Sequence, residues 1–302
     1  NGGGDCADFG TCGQTPGDYD YEVLGSFLSS IAIETDASIG ADLNGDGEPD
    51  NALGSLLGDL GPLLGDTDLN QQLADSIDDG SFALGATWPT LEAGATGDAQ
   101  AVAIHFFNLE DTDDNPMTQD SYLADPESFI PDSSTPRVRF EGAAIAGGTL
   151  TAGPSDFPLT LPLGEIPLEV IVSGTLISGD TSEDGVGFAM ANGTLAGSVR
   201  LSSIVDGLNA YLSSNSCSCL GLAGTDLITE GAGGYSCGVA DSSTCEDEGQ
   251  GTCGTIAGAC GLAVPIIGGQ TDIDTDGDGS PDALSLYLNV ELTGTAITGP
   301  AN

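Results

Sequence analysis

Residues 284–292 read Leu-Ser-Leu-Tyr-Leu-Asn-Val-Glu-Leu, an unbroken alternation with Leu284, Leu286, Leu288, Val290 and Leu292 on one face and polar groups plus Tyr287 on the other. Successive side chains of an extended chain point to opposite faces, so this period fits a half-buried strand and no helix. The same alternation runs through 157–163, where Leu159, Leu161 and Leu163 share a face, through 166–172, and through Val186, Phe188 and Met190. Prolines inside 157–163 and 166–172 place those strands at edges, because proline cannot donate to a ladder. Further strands are expected at 31–39, 101–109 and 137–145, separated by turns rich in Gly, Asp and Asn. Helical periodicity is confined to 51–64, 69–77 and 202–212, the last with Ile204, Val205, Leu208 and Leu212 in one stripe. The expected fold is mainly β: an antiparallel β-sandwich or barrel-like sheet with a few short capping helices and a disulfide-rich insert. Residues 110–136 are polar and proline-spaced and read as a long surface loop.

Charge narrows the partners. Forty-seven Asp and Glu face three basic residues, Arg137, Arg139 and Arg200, for a net charge of −44. A chain with so few cations cannot displace counterions from a phosphate backbone, and an anionic membrane surface repels it, so nucleic acid is excluded as a partner. Its electrostatic partners are cations. With 39% apolar residues in clean alternating runs, the chain is nevertheless a folded protein. Acid-rich, lysine-free composition also keeps proteins soluble in strong salt, so a saline habitat is a second account of the charge.

No run of eighteen apolar residues is present, so no transmembrane segment is expected. A start at Asn1 with no Met and no basic-then-apolar leader fits a secreted product whose signal has been removed. Eight cysteines agree with export. Cys6 and Cys12 would close a small loop, while Cys217, Cys219, Cys237, Cys245, Cys253 and Cys260 crowd one stretch and allow fifteen pairings. Their spacing lacks paired C-x-x-C knuckles, which favours disulfides over zinc or iron–sulfur ligation. The organisation expected is an N-terminal segment, 1–20, followed by one integrated β domain, 21–302, that includes a stapled insert at 216–261.

The chemistry-bearing feature is a duplicated loop. Asp42-Leu-Asn44-Gly-Asp46-Gly-Glu48-Pro-Asp50 matches Asp274-Thr-Asp276-Gly-Asp278-Gly-Ser280-Pro-Asp282 position for position. Oxygen donors at loop positions 1, 3, 5 and 9, glycine at 6 for a sharp turn and a carbonyl at 7 form the first three quarters of a calcium loop of EF-hand type. Carboxylates clustered this closely repel unless a cation sits among them, and hard oxygen donors favour Ca²⁺ over zinc or copper. These loops resemble the calcium loops of dockerins and of thrombospondin type 3 repeats, extracellular modules with D-x-D-x-D-G-x-x-D segments. The resemblance implies side-chain ligation by Asp42, Asn44, Asp46 and Asp50, and by Asp274, Asp276, Asp278 and Asp282, with carbonyls from Glu48 and Ser280. It covers the loops alone. The bidentate Glu of position 12 is replaced by Leu53 and Ser285, and the copies lie near opposite ends of the chain rather than side by side. The chain as a whole is similar to secreted bacterial surface proteins with Asp-Gly-Asp-Gly turns and a cysteine cluster.

A third acidic cluster, Glu110-Asp111-Thr-Asp113-Asp114-Asn115, could hold another ion or be a solvated loop, since it lacks the glycine and the alternating spacing, while Asp78-Asp79 and Glu246-Asp247-Glu248 read as surface charge. Catalytic constellations are scarce. The one histidine, His105, sits in a strand-like run, which suits a hydrogen-bonded structural residue better than a base. Neither a G-x-S-x-G elbow nor a phosphate-binding G-x-x-x-x-G-K-[ST] loop is present, and no lysine is available for Schiff-base chemistry. Trp88 is the sole tryptophan, a thin basis for an aromatic sugar platform, and Asn192-Gly-Thr is a glycosylation sequon.

Together these features point to a secreted, calcium-stabilised structural protein of the cell surface, a self-assembling subunit of an extracellular filament or layer and not an enzyme. Self-association would use long amphipathic strands such as 284–298, pairing with a neighbour's sheet edge. One alternative is a calcium-dependent adhesin or carbohydrate-binding module for surface glycans, which requires exposed aromatics. Another is a carbohydrate-active hydrolase, which requires two buried carboxylates facing each other across a cleft.

Overall fold

The alternating runs fold as strands that close on one another. The computed structural model describes residues 14–60, 68–92, 97–112, 121–163, 166–184, 187–214, 217–220, 226–231, 234–238, 245, 253–254, 257, 260 and 268–301. Its strands are β1 (Leu24–Ile33), β2 (Leu84–Trp88), β3 (Ala99–Asp111), β4 (Ser121–Ala124), β5 (Val138–Ala146), β6 (Thr149–Leu163), β7 (Ile166–Asp184), β8 (Gly187–Arg200), β9 (Ile228–Gly231), β10 (Gly234–Cys237) and β11 (Ala283–Pro300). Three helices, α1 (Ala52–Leu60), α2 (Leu69–Asp78) and α3 (Leu201–Ser214), lie between them. Strands β1, β2, β3, β5, β6, β7, β8 and β11 each pair antiparallel with the next, and β11 returns to β1, closing an eight-stranded up-and-down barrel.

The period-two pattern explains the closure. Leu284, Leu286, Leu288, Val290 and Leu292 of β11 are all buried, and Leu28, Phe106, Phe157, Ile177 and Leu195 fill the interior from the other strands. Only about 20 Å³ stays empty there, so the barrel is a packed core and not a pore. The strand expected at 31–39 lies earlier. Its first half carries small residues for packing reasons: a Cβ at Gly25 would sit 2.7 Å from the Thr295 carbonyl oxygen, and Ser26 is buried under Trp88. It stops at Ile33 because the Asn70 side chain takes both the N–H and the carbonyl of that residue, at 2.7 and 3.1 Å.

Of two expectations about edges, one is revised and one holds. Strand β11 pairs with β8 over 283–292, with β1 over 288–295 and with β4 in its last residues, so most of 284–298 is already engaged within the chain. The proline-bearing segments do behave as edges. Backbone pairing of β5 with β6 spans only Thr149–Thr151 of β6; beyond it β6 pairs with β7 alone, and β7 gains β8 only from Val172 onward. Pro158, Pro162 and Pro167 therefore lie in a two-stranded ribbon.

The supposed surface loop at 110–136 is partly core. Strand β4 bridges the ends of β3 and β11, and Tyr122 stacks on Phe27 with ring centroids 5.0 Å apart and planes 2° from parallel. Residues 113–120 of that stretch, and with them Asp113, Asp114 and Asn115, lie outside the described residues. So do the Cys6–Cys12 loop, residues 61–64 of the first helical run, Val186 and Glu246-Asp247-Glu248.

Capping elements gather where β1 ends and β11 begins. Helix α1 packs on β11, α2 on β1 and β6, and α3 on β7 and β8. Leu53, Leu56, Leu57, Leu73 and Ile77 extend the barrel core into α1 and α2. The Asp68 carboxylate caps α2 by accepting the Asn70 and Gln71 N–H groups, both at 3.1 Å. Beyond α3, disulfides Cys217–Cys253, Cys219–Cys245 and Cys237–Cys260 staple the insert around Val205, Leu212, Leu220, Leu227 and Ile228, a small core of its own.

The opposite end is plain. A two-glycine turn, Gly147-Gly148, joins β5 to β6, both residues in the left-handed region. Trp88, fully buried, plugs this end against Phe188 at 4.3 Å between centroids. Its indole N–H donates to Ser26 Oγ at 2.8 Å, and that hydroxyl donates to the Phe188 carbonyl.

Candidate functional site

The two Asp-rich loops fold alike, hydrogen bond for hydrogen bond. In the first, Asp42 accepts the N–H groups of Gly45 and Gly47 at 2.7 and 3.1 Å; in the second, Asp274 accepts those of Gly277 and Gly279 at 2.7 and 2.8 Å. Asn44 accepts the Asp46 N–H and Asp46 the Glu48 N–H, as Asp276 accepts from Asp278 and Asp278 from Ser280. The reason is the shared glycine placement. Gly47 and Gly279 both sit at φ +91°, a conformation that disfavours any residue with a Cβ.

Position 9 acts as a strut in both copies. Asp50, 7% exposed, accepts the backbone N–H groups of Leu43 and Asn44 and the Asn44 amide. Asp282 accepts the Thr275 N–H at 2.7 Å and the Thr275 hydroxyl. Desolvation pushes the Asp282 carboxyl up, but the Thr275 donors and the Arg200 guanidinium outweigh it and hold the group below the ordinary carboxylate range. Asp274 is also held low, chiefly by the Gly279 N–H. Both stay ionised at neutral pH.

In the second loop Asp274, Asp276 and Asp278 each present a carboxylate oxygen, all within 4.8 Å of one another. Donors of this kind, hard oxygens with a carbonyl nearby, suit Ca²⁺. Leu53 and Ser285, at position 12, are buried: Leu53 joins the core, and Ser285 is fully enclosed. A twelfth-position ligand is thus absent from both copies, and water or a neighbouring group would complete a coordination shell.

The tertiary structure places both loops at one end of the barrel. The first follows β1, the second precedes β11, and these strands are neighbours, with Ile33 opposite Leu288. A relay joins them: Ala52 at the start of α1 donates its N–H to Ser285 Oγ at 2.7 Å, and Ser285 donates to Asp272. Burial raises the Asp272 carboxyl above its usual range despite the two bonds from Ser285, and the nearby Asp50 charge adds to the rise. Sequence reasoning missed Asp272, Ser285 and Thr275. Thr275 sits inside the motif at a position that gives no ligand, and Asp272 has Gly40 as its counterpart, so the repeat itself carries no signal for it.

His105 is held in a part-buried hydrogen-bonded cluster. Its Nδ1 lies 2.8 Å from the Tyr19 hydroxyl, which in turn lies 2.6 Å from Thr87 Oγ1. Burial lowers the imidazole despite the attraction of Glu141, whose carboxylate lies 3.6 Å away. Burial likewise pushes the Tyr19 phenol up to about 12. Trp88 is a plug and not a sugar platform, and among the described residues the large exposed apolar side chains are Ile39, Ile171 and Leu176, none aromatic.

Fold and site define the chain as a closed antiparallel barrel carrying twin Asp-rich loops on one end and a disulfide-stapled insert beside them. Compared with protein-family models, with curated proteins and with solved structures, it matches none.

Proposed function

We propose that this protein is an extracellular structural barrel, stabilised by calcium in the twin loops and assembling with further copies of itself at a cell surface. The carrying observation is the convergence of two like-folded acidic loops, distant in sequence, onto neighbouring strand ends tied by the Ala52–Ser285–Asp272 relay. In the second loop Asp274, Asp276, Asp278 and Asp282 with the Ser280 carbonyl would hold the ion; in the first, Asp42, Asn44, Asp46 and Asp50 with the Glu48 carbonyl. A bound divalent cation would brace each loop from within, one just after β1 ends and the other just before β11 begins. Three disulfides fit an oxidising extracellular compartment, and among the described residues no helix is long and apolar enough to cross a membrane.

Self-association is supported at a different place from strand 284–298. Among the described residues no further strand pairs with the far part of the β6–β7 ribbon, and Ile171 on it is 52% exposed. At a net charge of −44, copies repel one another unless cations intervene. Sedimentation velocity in millimolar calcium and after chelation, at fixed ionic strength, tests this. Larger species with calcium that vanish in Asp276→Ala support the reading; a monomer unchanged in both buffers overturns the assembly, and absence of calcium uptake by equilibrium dialysis overturns the ion.

A further inference from the structure

Where β5 and β6 stop pairing, the barrel wall opens. Past Thr151 the sheet divides: β5 stays with β3, while β6 leaves with β7 as the free ribbon. The divergence begins at a register break after Ala152, where Gly153 takes φ +107° and a Cβ would lie 2.3 Å from the Thr175 carbonyl oxygen. Three phenylalanines fill the base of the gap, Phe106 and Phe157 edge to face at 5.1 Å and Phe140 against Phe106 at 5.8 Å. Above them a cleft of about 960 Å³ remains, floored by Phe106, Phe157, Leu159 and Val170, with α3 as its far wall.

The lining is mixed, with apolar side chains in its depth and Ser81, Asn108, Thr160, Ser202 and Ser203 among the polar groups around them, a combination that suits an amphiphilic occupant. The rim decides the chemistry of the occupant. Glu127, Glu169 and Asp206 line the opening, all exposed, against one cation, Arg137, whose Nε donates to the Glu127 carbonyl at 2.9 Å. Three carboxylates against one guanidinium repel an anionic head group and attract a cationic one. We infer that the cleft binds a small amphiphile with an apolar body and a single ammonium head, the body on the Phe106–Phe157 floor and the head among Glu127, Glu169 and Asp206. This inference is independent of the calcium reading, since none of its residues belongs to the Asp-rich loops.

The test is calorimetric titration with three probes that share one chain, decyltrimethylammonium, decyl maltoside and decyl sulfate, each below its micellar concentration. The cationic probe should bind with one-to-one stoichiometry and about tenfold more tightly than the neutral one, with decyl sulfate weakest. Glu169→Gln combined with Asp206→Asn should remove that preference and leave decyl maltoside unchanged. Ala210→Trp, on the exposed wall of α3, keeps the charge and narrows the cleft, so it should weaken saturable binding of every probe. Circular dichroism confirms that each variant is folded. Cationic binding unweakened by Ala210→Trp reports only the overall negative charge and overturns the site; equal binding of all three probes overturns the head-group assignment; no binding at all overturns both.

Discussion

The two ends of this barrel are built by different means. At the plain end, stability comes from burial: Trp88 fills the opening, packs on Phe188 and satisfies its one polar group through Ser26, and a short glycine turn closes the chain. At the loaded end, polar side chains do the organising. Asn70 finishes β1, Asp68 caps α2, Asp50 and Asp282 brace the twin loops, and Ser285 ties them together. Arg200, at the end of β8, sits there too and donates its Nε–H to Thr275 Oγ1 at 3.0 Å. One end of the barrel is closed by a buried aromatic plug, while the other carries the Asp-rich loops, the cleft and the insert.

Four measurements break or sharpen that contrast. The largest effect is expected at the plain end. Trp88→Ala leaves a cavity in a fully enclosed site and takes from the buried Ser26 oxygen the indole N–H it accepts, so urea unfolding followed by circular dichroism should show a loss of about 3–5 kcal/mol. A loss below about 1 kcal/mol would mean the plug is not what closes that end.

Next comes calcium. At a free concentration a hundred times its dissociation constant, each occupied loop should add about 2.7 kcal/mol of stability, with Asp42→Ala and Asp274→Ala each removing one share. An unchanged unfolding midpoint across a calcium titration would separate the loops from any role in stability.

A smaller effect belongs to the cap of α2. Asp68→Ala frees the Asn70 and Gln71 N–H groups and should cost about 1 kcal/mol, whether or not calcium is present. If the cost appears only with calcium, α2 and the loops behave as one unit.

The smallest effect is the acid response of His105. Its folded-state pKa is depressed by burial, so its contribution is complete above about pH 6.5 and is lost as the pH falls toward the folded value, because the unfolded chain takes up the proton first. Unfolding midpoints between pH 7 and pH 5 should decline, and His105→Gln should flatten that slope; a slope unchanged in the variant assigns it to other groups. Tyr19 gives the opposite limb, since a phenol raised to about 12 loses its stabilising share as the pH climbs above 10.

How much could be read beforehand follows from the range of the interactions involved. Strand β11 was legible because alternation is a local consequence of extended backbone, and α3 because one apolar stripe repeats at helical spacing. The glycine-bearing loops were legible for the same reason: Gly47 and Gly279 specify their turn from within the motif. Strand β1 was misplaced by its small residues, whose purpose is a close approach to β11 that no local window reveals. Likewise β4 looked like loop because its worth lies in the stack of Tyr122 on Phe27.

By itself, then, the sequence determined the β class, the matching Asp-Gly turns and the use of cysteine as a staple, all matters of residue type and short spacing. Only the tertiary structure decided which cysteines join, that the last strand meets the first, that both acidic loops share one end, and that the wall parts between β5 and β6 to leave a cleft. Each of these depends on contacts between residues far apart in the chain, and their geometry is fixed by closing the barrel as a whole rather than by any one segment's preference.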